Sequence, residues 1–288
     1  MDKLLQLIVA GLVTGSIYGL IATGYAVIYT ATGFVNFALG AQAMLGGYLA
    51  YVYFPGLPQS VRILIALVVG ALVSVVSWHL LYKWAAKRAM LAAVIMSFAL
   101  AIVFEEIIRL SAGGVNVPAP SPFGRTVFQL GAVSISAHQL AVVVVSAVLF
   151  TGLVLVLGSK RGAAVRAMFS DAETAEVLGI RTARLTTILF AVSGVFAAVA
   201  GIFAAPLLTL SPYMGLNLAL IGFVGAILGG LGRIGTAIAG SIVLGLLEAF
   251  FAGYVSADFR TALVYAVFVL VLVIRPAGLL GRVAKVKV

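Results

Sequence analysis

Residues 185–208, LTTILFAVSGVFAAVAGIFAAPLL, run without one charged side chain. A helix needs about 20 mostly apolar residues to cross a bilayer, so this stretch alone makes the chain a membrane protein. Similar runs cover 4–29, 34–54, 63–81, 91–110, 139–157, 216–231, 234–254 and 261–274. The fold class that follows is all-α: a polytopic bundle of eight or nine transmembrane helices, forming one domain over residues 1–288. Composition agrees, since 64% of residues are hydrophobic and 9% charged, where a soluble domain carries about 25% charge.

The net charge of +10 does not point to nucleic acid. Lys and Arg gather at span ends without interleaved aromatic residues, as topology and anionic lipid head groups demand. With no cysteine, a disulfide framework, a thiolate metal site and a Cys nucleophile are all excluded. The run from Leu4 is too long for a cleavable signal. If every run crosses once, Lys83, Lys87, Arg88, the group between 160 and 184, Arg233, Arg275, Arg282, Lys285 and Lys287 share one side. The positive-inside rule makes that side cytoplasmic, with the C-terminus there and the N-terminus outside. If residues 30–47 are instead broken or re-entrant, the N-terminus turns inward, and the sequence leaves both open.

Within the cytoplasmic loop 159–184 lies one acidic, water-compatible segment, Ser170 to Gly179. Ser170 followed by Glu173 predicts a capping box: the hydroxyl accepts from the Glu173 amide and the carboxylate returns to the Ser170 amide. A short helix beginning there, flanked by Arg166 and Arg181, offers a soluble partner something to dock on. On the other side, 111–138 is the one substantial outer loop, with Pro118, Pro120 and Pro122 and an alternating stretch over 126–136 that suits a small hairpin. It reads as a solvated connector or as part of an outward docking surface.

A weak internal echo runs through the chain. Tyr18 with Ala22, then 35–39 ending at Gly46 and Gly47, resembles Phe196 with Ala200, then 216–220 ending at Gly229 and Gly230. Two pseudo-repeated halves would produce it, with the pathway between them and the interrupted segments at its midplane. Gly11, Gly15 and Gly19, and Gly225 with Gly229, are spaced by four and mark faces where a neighbouring backbone comes close. The denser 229–235 should interrupt a helix. It carries no Walker pattern, Rossmann strand or Lys-Ser/Thr pair, which excludes nucleotide binding there.

Ionisable groups inside spans are functional candidates. Glu105 and Arg109, at i and i+4, are expected to pair near the outer end of their helix, with Glu106 pointing elsewhere. Glu248 has no local partner and must face the bundle or a subunit contact, because lipid exposure would cost about 3 kcal/mol. His79 and His138 lie near span ends and read as structural. Asn36, Gln42 and Asn217 either bond a zwitterionic amino acid or seal a broken helix. Ser16, Tyr18 and Thr23 are candidates for lining the path, although Ser and Thr also satisfy their own helix backbone. No catalytic set, metal cluster or phosphate loop is present in the sequence, and no cofactor is expected.

The pattern Glu173-Thr174-Ala175, three residues, then Gly179, resembles the Glu-Ala-Ala-x-x-x-Gly coupling loop of ABC-importer permeases, with Thr174 in place of the middle alanine. Residues 15–22, 35–40, 229–232 and 244–248, closed by 275–279, together resemble the branched-chain amino-acid permeases. The likeness covers nearly the whole chain and is greatest to the shorter permease of the pair such systems use. It departs at Leu39, where the family usually has histidine. The resemblance implies an importer subunit of the bacterial inner membrane that moves branched-chain or other small amino acids by alternating access. It implies that Asp171, Ala172, Glu173, Ala175 and Gly179 meet ABC ATPase subunits, where the ATP is hydrolysed. It further implies a second homologous permease and an extracytoplasmic substrate-binding protein as partners. Urea and amide importers share the pattern. An ion-coupled transporter or channel is the reading from another class, and a structural scaffold a third.

Overall fold

The computed structural model describes residues 2–275 apart from Arg125 and Ala132, together with Gly278. Arg282, Lys285, Lys287 and most of the 275–279 motif lie outside the described residues. Every expected apolar run is helical. In chain order the elements are α1 (Asp2–Thr32), α2 (Ala38–Tyr51), α3 (Gln59–Ser77), a π-helical turn (Trp78–Tyr82), α4 (Lys83–Arg88) and α5 (Met90–Ala112). A hairpin of β1 (Val127–Leu130) and β2 (Val133–Ser136) follows, then α6 (Ala137–Gly158), α7 (Ala163–Ser170), α8 (Ala172–Val177), α9 (Thr182–Leu208), α10 (Met214–Gly229), α11 (Ile234–Tyr254) and α12 (Arg260–Ile274).

Among the described residues, six helical stretches are long and apolar enough to cross a membrane alone: α1, α3 continued through α4, α5, α6, α9 and α11. The runs at 34–54 and 216–231 give shorter helices, because each begins at a break. At 14 residues, α2 rises only about 21 Å. Residues 33–37 separate it from α1, with Gly33 at φ +79. Residues 209–213 separate α9 from α10, with Thr209 at φ 59 and Leu210 bridged to Val117.

Packing bears out the echo between halves. α1 packs on α11 as α9 packs on α3; α2 packs on α9 as α10 packs on α1; α2 meets α3 and α5 as α10 meets α11 and α12. Exchanging α1 with α9, α2 with α10, α3 with α11 and α5 with α12 maps each of these pairings onto its counterpart. Each break follows a full-length helix, α1 ending toward the basic face and α9 toward the outer loop, and the helices that begin after the breaks start against each other, where a Cβ on Gly40 would meet the Gly215 carbonyl oxygen. Gly33 approaches Met90 at the start of α5, beside Arg88, whereas Leu210 pairs with the outer loop. The halves are thus inverted relative to each other, a plan known from transporters built of repeats.

Glycine permits these crossings. A Cβ placed on Gly15 would fall 2.9 Å from the Ile242 Cα, and one on Gly70 would fall 2.8 Å from the Gly194 carbonyl oxygen. The α1–α11 and α3–α9 contacts are therefore backbone against backbone, where dispersion rather than hydrophobicity holds helices in lipid. The outer surface is apolar: Leu64, Val68, Leu72, Val76 and Leu80 form an exposed stripe along α3 and the turn after it.

The N-terminus is placed by Gln6. Its side-chain amide donates to the Ser134 carbonyl at 3.1 Å and its oxygen accepts from the Ser134 amide at 3.2 Å, so α1 begins against the outer hairpin. Its far end reaches the basic face, where Thr30 lies beside Arg166 and Arg233. α1 crosses once, and although residues 33–37 do break the chain, the N-terminus stays on the outer side. Reporters inserted near Phe169 and after Lys287 are expected in the cytoplasm, and reporters near Pro120 and before Met1 outside. All four in one compartment would overturn the span assignment.

Two polar contacts differ from expectation or complete it. Arg109 pairs with Glu106, its Nε donating at 2.8 Å, and not with Glu105. The i and i+3 spacing serves on the exposed side of α5, where the guanidinium fork meets both carboxylate oxygens. Glu248 is buried and faces the bundle, with the Tyr18 hydroxyl donating to it at 2.7 Å and the Arg260 Nε forming a looser ion pair at 3.9 Å. One carboxylate thereby ties α1, α11 and α12 together.

Candidate functional site

The loop between α6 and α9 is ordered by its own polar groups. Arg166, on α7, donates through Nη1 to the carbonyls of Leu157 and Ser159, closing the free end of α6. Ser170 is the last residue of α7, and its hydroxyl donates back to the Arg166 carbonyl at 3.1 Å. The expected capping box is therefore absent there. Asp171 caps α8 instead: its backbone is extended at φ −162, and Oδ1 accepts from the Glu173 and Thr174 amides at 3.0 and 3.1 Å. Thr174 also donates its hydroxyl to Oδ2 at 2.7 Å. An aspartate suits a helix start better than serine here because its charge also answers the helix dipole. Hydrogen bonds from the Thr174 side chain and amide hold the Asp171 carboxyl below the usual carboxylate range. The cap is thus intact at neutral pH and is lost only as pH falls through that lowered value.

α8 ends in a left-handed turn. Gly179 has φ +83; its amide donates to Glu176 and the Ile180 amide to Ala175, both at 3.0 Å. Ala175 turns inward at 2% exposure, while Val177 and Leu178 stand 88% and 75% exposed. Ala172, Glu173 and Glu176 share the open side. The result is a short ledge on the basic face, capped at both ends, that presents two bare apolar side chains, with Glu173 and Glu176 exposed on the same short helix. The sequence pattern located this ledge but did not single out Val177 and Leu178, whose exposure is their only signal.

The residues read as path candidates divide in three. Ser16 and Thr23 donate to the Leu12 and Gly19 carbonyls of their own helix, and Tyr18 is committed to Glu248. Asn36 is fully buried in the first break; its Oδ1 accepts from the Ala38 amide at 3.1 Å while its Nδ2 has no partner. Gln42 is buried on α2 with neither amide atom bonded. Asn217 stands exposed near the start of α10, next to Leu216. The two asparagines are thus not equivalent across the halves. Next to Asn36 in the chain, Phe37 belongs to an aromatic group: it stacks on Phe98 at 4.2 Å and meets Phe223 edge-on at 5.1 Å.

The model of the permease component of branched-chain amino acid transport systems matches residues 7–274. This chain belongs to that family. It is 31% identical to the high-affinity branched-chain amino acid transport system permease protein LivH of Escherichia coli K12, over 96% of each chain. It is 29% identical to the corresponding permease BraD of Pseudomonas aeruginosa, again over 96% of each, and 28% identical to a probable LivH of Methanocaldococcus jannaschii over 91% of this chain and 88% of the relative. No solved structure matches it significantly. The chain is a multi-pass membrane permease, and its family and its packed helices agree on that.

Proposed function

We propose that this chain is the membrane-spanning subunit of an ATP-driven importer of branched-chain or similar small apolar amino acids. The carrying observation is the α8 ledge, an ordered element on the basic face with Val177 and Leu178 uncovered. In water that surface is unfavourable, at about 25 cal/mol per Å² of apolar area, and a soluble ATPase docking there removes the cost. Closure of an ATPase pair would then push on the segment Asp171 to Gly179 and rock the inverted halves between outward- and inward-facing forms. A second homologous permease and an extracytoplasmic binding protein complete the reading. An ion-coupled mechanism gains no support from Glu248, because that carboxylate is held by Tyr18 and Arg260.

The test is leucine uptake into vesicles holding the permease, its homologue, the ATPases and the binding protein. Uptake should require ATP and survive collapse of ion gradients; uptake driven by a gradient without ATP would sink the proposal. Within it, Asn217 and the aromatic group beside Phe37 are assigned to the path. Asn217→Leu should lower uptake severalfold at unchanged protein level, since no structural bond is lost. Asn36→Leu should lower both, because a helix-start acceptor worth about 1 kcal/mol disappears. Wild-type uptake in Asn217→Leu would move the path elsewhere.

A further inference from the structure

At the basic face a cavity of about 280 Å³ opens between the end of α6, α7 and the start of α11. Its polar wall holds Arg166 and Arg233, with the backbone of Gly232 and Gly235 between and beside them, and its lining includes no carboxylate. Arg166 spends one nitrogen on the end of α6 and keeps its other donors. The Arg233 side chain makes no hydrogen bond or ion pair among the described residues, and no side chain caps the α11 amides. The opposite wall is apolar, made by Val154, Leu157 and Phe169. Val154 is 47% exposed and lies beside the bare stripe of Val144, Val148 and Leu155 that runs along α6.

We propose that this cavity binds the phosphate of an anionic phospholipid from the cytoplasmic leaflet, with an acyl chain lying along α6. Two guanidiniums and a helix start favour a phosphodiester, and basic pockets between transmembrane helices on this side suit such head groups. The apolar wall selects a lipid over a free anion, since a soluble phosphate gains nothing from Val154 or Phe169. The proposal rests on the membrane placement and not on the transported substrate. The lipid would join α7, which leads into the α8 ledge, to α11 of the bundle, stiffening the link between the two.

Thermal unfolding of the purified full chain in an uncharged detergent tests this, with added phosphatidylglycerol, phosphatidylcholine of the same acyl chains, or inorganic phosphate. Phosphatidylglycerol should raise the unfolding temperature more than phosphatidylcholine, and phosphate should raise it no more than buffer of equal ionic strength. Arg233→Gln should weaken the apparent phosphatidylglycerol affinity about fivefold, as one surface cation contributes about 1 kcal/mol. Arg233→Lys should retain most of it, and Arg161→Gln, outside the cavity, all of it. Equal shifts with both lipids, a phosphate shift matching that of phosphatidylglycerol, or equal losses in Arg233→Gln and Arg161→Gln would each overturn the site.

Discussion

Gly179→Leu is expected to cut ATP-driven uptake roughly tenfold while the protein still accumulates in the membrane. Gly179 sits at φ +83, and a Cβ built there meets nothing within 4 Å, so the burden is conformational and not steric. A left-handed residue other than glycine costs about 1–2 kcal/mol, which shifts a local equilibrium by a factor of roughly 5–30. That shift unwinds the turn where the Gly179 and Ile180 amides close α8 and moves Val177 and Leu178 off their ledge. It leaves the buried bundle untouched. Gly179→Asn should keep most of the uptake, since asparagine tolerates this region better than any branched residue. Uptake and substrate-stimulated ATP hydrolysis are the readouts, and full coupling in Gly179→Leu would remove the ledge from the mechanism.

The second large effect is on the fold itself. In Gly194→Leu a Cβ would lie 2.7 Å from the Ser74 Cβ and 2.8 Å from the Gly70 carbonyl carbon, so α3 and α9 cannot keep their approach. Overpacking where neighbours can shift costs about 1–3 kcal/mol; here the neighbour is backbone, and the penalty should exceed that range and consume much of a typical 5–15 kcal/mol stability. Folded protein recovered from membranes should fall severalfold. Gly152→Leu, on α6 with nothing within 4 Å, should be recovered at the wild-type level. Normal recovery and unfolding temperature for Gly194→Leu would show that the crossing is not a close backbone contact.

Much of the architecture was legible because lipid imposes one simple demand, an apolar helix, and each of the nine runs gave one, six of them long enough to cross alone. The hairpin over 127–136 was legible from alternation, and two related halves from an echo, while their inversion emerged only from the packing. What escaped was local competition and distance. Ser170 and Asp171 are both good helix caps, and the choice fell to Asp171 because Thr174 adds a third bond to its carboxylate. Glu105 and Glu106 both lie within reach of Arg109, and spacing alone did not separate them. The Tyr18–Glu248 bond joins residues 230 positions apart. No spacing rule reaches that far, and Glu248 therefore read as a carboxylate without a partner.

Because the chain contains no cysteine, Leu178→Cys would carry a single thiol at the centre of the proposed docking surface. Cross-linking from that thiol in native membranes is the most direct test that an ATPase drives this permease through α8. A cross-link to an ATPase subunit whose yield changes with ATP, in vesicles that take up leucine, is the predicted result. A thiol that stays freely reactive and captures no ATPase while ATP-dependent uptake proceeds would contradict the account.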